Sequence, residues 1–215
     1  MRVIDPSVEF CGYTPLTPAE QWPFIEMAGR TCYKSEDKIT DQSAVGFAGK
    51  LFAAGHWAMI EHSNFVVRAP SEMRGVPWVQ LLGHGSFLTV ARHTGGVYIG
   101  GNLTAWLNFY LSTRAAGLTL ALLRPFQILY LRMFNTPGPC CWAKDDRRPQ
   151  WQPVFDIEEI PRPLRRVSAK LITNRAVTHE IVRHRPCSFG QESQRYCRYG
   201  QDKFGGQVTF IRPVF

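Results

Sequence analysis

Two periods of apolar residues divide the chain, one of three to four residues and one of two, and they separate helices from strands. Phe24, Ile25 and Ala28 recur at helical spacing behind Thr17-Pro18, where a threonine N-cap followed by proline marks a helix start. The helix runs towards Arg30, and Pro23 predicts a kink or restart within it. Charged Lys34–Lys38 reads as a solvated loop. Thr40 caps a second helix whose apolar face is Val45, Phe47, Ala48, Leu51 and Phe52, and Gly55 suits its left-handed end.

Residues 1–15 read as a short strand followed by a Gly/Pro-containing turn at Cys11–Pro15, and Ser63–Arg68 reads as another short strand. Phe87–Ala91 and Val97–Ile99 flank Gly95-Gly96 as a hairpin. Asn102 caps a helix over 103–113, and a second apolar helix covers 118–134. Residues 137–163 are rich in proline and charge and read as an exposed linker. Val167–Thr173 alternates as a strand with one covered face. Asn174 opens a helix carrying Arg175, Val177, Ile181 and Val182, and after a polar loop Gln207–Ile211 is a last short strand. The expected fold class is α+β: a small antiparallel or mixed sheet packed by helices, with an inserted hairpin and helical pair.

Composition narrows the class without naming a function. With 45% hydrophobic and 20% charged residues over 215 positions, the chain has the make-up of a globular domain. No apolar run approaches the roughly 20 residues of a membrane span, and the start lacks the apolar stretch of a secretory signal, so the expected location is the cytoplasm. A net charge of +8 points to an anionic partner, either nucleic acid or a phosphate-bearing small molecule. Six cysteines without a CxxC pair read as free, mostly buried thiols.

The densest chemistry is Arg183–Arg198, where arginines alternate with Ser188, Gln191, Glu192, Ser193, Gln194 and aromatic residues. Guanidinium forks bind phosphate bidentately, and hydroxyls and amides complete such a pocket; the competing reading is a solvated arginine-rich loop. His179 and His184 are five apart, about 140° around a helix, so they cannot share an ion, and no metal is expected. GxSxG, P-loop and GxGxxG patterns are absent. RNA binding also fits basic residues with interleaved aromatics, but the compact arginine cluster suits a small anion better.

Arg183-His184-Arg185, seven residues, then Ser193 with Arg195-Tyr196 resembles the signature of the flavin-dependent thymidylate synthases, the thymidylate-synthase-complementing family. Gly55-His56, Glu61-His62 and Phe65 are similar to that family's element before its first core strand, and Gly29–Ser35 is similar to its N-terminal segment. The resemblance covers residues 1–70 and 165–215. It implies methylation of dUMP to dTMP, with methylenetetrahydrofolate as carbon donor, NADPH as reductant, FAD as cofactor and a homotetramer as the assembly. It also implies that Arg183, His184 and Arg185 contact FAD and that His56 and Glu61 lie near the flavin. Asn102 joins them through a stretch similar to the family's Asn-x-Arg element, although Thr104 stands where its arginine is expected. Glu180, Gln191, Glu192, Ser193 and Arg195 would line the dUMP site, with Ser193 and Arg195 as the catalytic positions.

Three departures accompany the resemblance. Gly190-Gln191-Glu192 stands where the family often has asparagine-glutamate-glutamine, which shifts the carboxylate by one. Residues 71–163 read as an insertion in a single family-like domain. The family continues past the last strand with further nucleotide-binding arginines, so the expectation is that its C-terminal part is missing and that this chain alone is weak or inactive. The alternatives are a truncated or inactive homologue that only binds flavin or nucleotide, and a basic RNA-binding protein.

Overall fold

A computed structural model describes residues 1–13, 17–69, 87–113, 152–184 and 186–213, and within them the chain is α+β, with five α-helices and three small sheets. Helix α1 (Pro18–Tyr33) starts in a capping box: Thr17 Oγ1 accepts from the Glu20 N–H, and the Glu20 carboxylate accepts from the Thr17 N–H at 3.2 Å. The restart expected at Pro23 does not occur, and α1 is one helix through that residue. Proline there deletes one backbone donor in the second turn, while Gln21, Trp22, Ile25, Ala28 and Gly29 keep a continuous buried face on both sides of it.

Helix α2 (Ser43–Ala53) begins later than expected, because Thr40 closes a turn with Ser43 instead of capping the helix. Its core face is Ala44, Ala48 and Leu51; Val45, expected inside, is exposed because Ala44 takes the position facing α1. A Cβ on Gly29 would lie 2.6 Å from the Phe47 ring, so α1 and α2 approach closely only because this residue has no side chain. Buried Glu26 reinforces the crossing, paired with Arg30 at 3.0 Å and accepting from Ser43 Oγ at 2.9 Å. Gly55 adopts φ 68° as expected and turns the chain into short helix α3 (Trp57–Ile60).

The largest sheet has the order β4-β5-β3-β6, antiparallel throughout, from β3 (Phe65–Arg68), β4 (Thr89–His93), β5 (Gly96–Gly101) and β6 (Gln152–Pro153). The expected hairpin is β4–β5. Central β3 is buried on both faces, and its period of two divides the core: Phe65 and Val67 join α1, α2 and α3, while Val66 joins Ala91, Tyr98, Val154, Ile160 and Leu164. The Gln21 side chain locks α1 to the start of β3, donating to the Asn64 carbonyl at 2.6 Å and accepting from its N–H at 3.0 Å. Helix α4 (Leu103–Thr113) is capped by Asn102, whose Oδ1 accepts from the Ala105 N–H at 2.8 Å, and it buries Trp106 and Phe109 in the main core. The apolar helix expected at 118–134 lies outside the described residues.

The linker expectation fails where it can be read. Residues 152–164 supply β6 and bury Val154, Ile160 and Leu164, because the second face of β3 needs apolar cover. Two smaller pairs complete the fold: β1 (Arg2–Ile4) runs parallel to β8 (Thr209–Ile211), and β2 (Ser7–Tyr13) runs antiparallel to β7 (Val167–Ile172). Of the turn expected at Cys11–Pro15, Cys11 to Tyr13 belong to β2, with a bulge at Gly12, φ 104°, and residues 14–15 lie outside the described residues. The β2–β7 ribbon does not have the one covered face expected of residues 167–173: Val8 is 73% exposed, Phe10 63% and Val167 64%. Cys11, Cys32, Cys187 and Cys197 are free thiols as expected, but only Cys197 is buried.

Candidate functional site

Helix α5 (Arg175–Ile181) is set by Asn174, whose side chain accepts from the Val177 N–H at 3.1 Å. The cap places Arg175 and His179 one turn apart on one face, where Arg175 Nε donates to His179 Nε2 at 3.1 Å. Arg175 also donates through its guanidinium to Gln194 Oε1, tying the helix to the polar loop that follows.

That loop is seated on the C-terminal end of α1. A Cβ on Gly190 would lie 3.1 Å from the Ala28 carbonyl and 3.5 Å from Met59 Sδ, so the backbone passes close to α1 at this point. Ser193 N–H donates to the Cys32 carbonyl at 2.9 Å, and Ser193 Oγ accepts from the Tyr196 N–H at 3.3 Å. Buried Cys197 and Phe204 anchor the loop from below. Glu192 accepts from the Tyr199 hydroxyl at 2.5 Å and lies 3.7 Å from Lys34 Nζ, which also sits over the Tyr199 ring at 4.9 Å. Burial and the Glu192 carboxylate together push the Tyr199 hydroxyl well above its ordinary pKa.

Between α5, the end of α1 and this loop lies a cleft of about 420 Å³, lined by Cys32, Arg175, His179 and the run from Gln191 to Arg195. Two guanidiniums, two primary amides, a hydroxyl and one carboxylate face one space, a donor set that binds a phosphate and the polar edge of a small planar molecule.

Residues 160–214 match the family model described as thymidylate synthase complementing protein. No curated protein and no solved structure matches the chain. The matched residues contain α5 and the whole loop, while Cys32 and Lys34, which hold that loop, lie outside them at the C-terminal end of α1.

Of the residues singled out in the sequence, Gln191, Glu192, Ser193 and Arg195 line the cleft together. His56 does not line it; its Nδ1 is 2.5 Å from the Tyr33 hydroxyl and its ring stacks on Tyr33 at 5.8 Å, and Tyr33 in turn meets Tyr196 of the loop edge-on at 5.1 Å. Glu61 accepts from Ser188 Oγ at 3.2 Å, a second tie between α3 and the loop. Glu180 and Arg183 pair with each other at 3.7 Å in the open at the end of α5, and His184 next to them is exposed. Asn102 is engaged in capping α4 and does not line the cleft. Arg185 lies outside the described residues.

Sequence reasoning missed Arg175, His179, Cys32, Lys34 and Tyr199. Arg175 and His179 carried a usable signal, a four-residue spacing just after a cap; Lys34 and Tyr199 carried none, because only folding brings α1 to the loop. Among the described residues no group of three or more His, Cys, Asp or Glu could hold a metal, and no helix is long and apolar enough to cross a membrane.

Proposed function

We propose that this chain is a flavin-dependent thymidylate synthase, methylating dUMP to dTMP with methylenetetrahydrofolate as carbon donor, NADPH as reductant and FAD as cofactor. One observation carries the reading. The three stretches that resemble the family, 29–35, 55–65 and 183–198, are far apart in sequence yet touch one another, through the contacts of Cys32 with Ser193, Tyr33 with His56 and Tyr196, and Glu61 with Ser188, and the first and third of them line the cleft.

Within that reading Arg175 and Arg195 take the nucleotide phosphate, and Gln191, Gln194 and Ser193 offer donors and acceptors to the uracil edge. Ser193 positions the ring and is not a nucleophile. Glu192 is held in place by Tyr199 and Lys34 and forms part of the cleft wall. The residues present fit a flavin nucleotide in chemistry. Arg183 is 76% exposed, with a single loose ion pair, so its guanidinium and the exposed His184 ring offer hydrogen-bond donors to a diphosphate, and the Tyr33–His56 stack offers a flat surface. FAD, when bound, supplies the redox chemistry of the transfer. Residues 71–163 are then an insertion in one family-like domain, and the assembly is a homotetramer.

The test is a visible absorbance spectrum of the purified chain, followed by dUMP-dependent tritium release with FAD, NADPH and methylenetetrahydrofolate. Flavin bands and release support the synthase; flavin without release points to the binding-only homologue. Absence of both, with tight and steeply salt-dependent binding to generic RNA, overturns the reading.

A further inference from the structure

A second cleft, of about 420 Å³, shares no residue with the first. One wall is β4, contributing Val90, Ala91, Arg92 and His93; the other is the single turn around Arg162–Leu164 with its flanking residues. Its floor is the smaller core, where Ala91 packs with Ile160 and Leu164. This floor is apolar and firm, and the two walls above it are cationic.

The charge is what singles the cleft out. Arg92, His93, Arg162 and Arg165 line it, and no carboxylate does. Arg165 is built in: its Nε donates to the Ile160 carbonyl at 2.8 Å and its NH2 to the Glu158 carbonyl at 3.2 Å, with the Glu158 carboxylate 3.7 Å away on the outside of the turn. Arg92 and Arg162 are exposed and have no ion-pair partner among the described residues. Gathering like charges on a folded surface costs free energy unless an anion is bound between them. Two uncommitted guanidinium forks on opposite walls match the oxygens of a phosphate or diphosphate, which accept bidentate hydrogen bonds.

We propose that this cleft is an anion site for a small phosphate-bearing ligand, distinct from the cleft of the synthase reading and independent of it. Arg92 and Arg162 grip the phosphate from opposite walls, and Arg165 holds the second wall in place. Val90 and the prolines Pro161 and Pro163 give an attached organic group an apolar surface to lie on.

The test is calorimetric titration of the full chain with inorganic pyrophosphate and, separately, with ADP, in the wild type and in Arg92→Ala/Arg162→Ala. Both side chains are exposed, so the double variant keeps the fold, which circular dichroism checks. Removing two charge-assisted contacts should weaken pyrophosphate binding by at least a hundredfold, whereas Lys170→Ala, an exposed position on β7 that does not line the cleft, should leave it unchanged. Charge reversal by Arg162→Glu should abolish binding outright. Tighter binding of ADP than of pyrophosphate identifies a nucleotide as the source of the phosphate, and equal binding identifies free phosphate groups. Pyrophosphate binding that is absent, or equal in wild type and double variant, overturns the proposal. Because neither arginine touches the first cleft, failure here leaves dUMP binding as it was, and failure of dUMP binding leaves this site standing.

Discussion

Arg175 is fixed from two sides, by His179 on its own helix and by Gln194 across the cleft, so it reaches a ligand already oriented. Arg175→Ala should lower dUMP affinity roughly ten- to hundredfold, the value of a charge-assisted hydrogen bond, with little change in thermal midpoint because the side chain is exposed; titration calorimetry and a melting curve read the two effects separately. His62 behaves in the opposite way. Its Nδ1 lies 3.2 Å from both the Ala58 and Met59 carbonyls, and burial lowers its pKa below the ordinary 6.5. The unfolded chain therefore takes up this proton more readily than the folded one. Stability is present above about pH 6.5 and falls as pH drops below it, and His62→Gln should flatten that part of a profile of melting midpoint against pH.

At the scale of elements, the loop from Gly190 to Tyr199 has little secondary structure of its own and borrows its shape from α1. A Cβ at Gly190 would lie 3.1 Å from the Ala28 carbonyl oxygen, which cannot move without moving the helix. This gives a physical sense to glycine at the place where the resembling family often carries asparagine. Gly190→Asn should lift the loop from α1, weakening the Ser193–Cys32 hydrogen bond. The expected outcome is a loss of nucleotide affinity of tenfold or more with only a modest fall in denaturant midpoint, on the order of 1 kcal/mol. Equal affinity in the variant would show that the loop holds its shape without this contact.

For the whole molecule the feature that matters most is the exposed apolar surface of the β2–β7 ribbon. Val8, Phe10, Tyr13, Val167 and Leu171 are all exposed along one hairpin-like pair, and single chains seldom leave so much apolar area in water. If the assembly is the proposed homotetramer, this ribbon is a natural part of its interface. Analytical ultracentrifugation should then find a species larger than one chain, and Phe10→Lys with Val167→Lys should shift it towards the monomer. A monomeric wild type would show that the ribbon has another role.

Much of this was legible from local pattern alone. Caps at Thr17, Asn102 and Asn174, the left-handed Gly55 and the Gly95-Gly96 hairpin depend on a few neighbouring residues, so spacing and side-chain chemistry determined them. The same holds for the α+β class and for the arginine-rich run that becomes one wall of the cleft. What pattern misread were places where distant residues compete for burial. Val45 against Ala44, the continuity of α1 through Pro23, and the packing of residues 152–164 on the back of β3 all turn on which surface is available to cover. The cleft itself belongs to the same class. Cys32 and Lys34 reach Ser193 and Glu192 because α1 is packed against the loop, and no sequence period records a contact between residues more than a hundred positions apart.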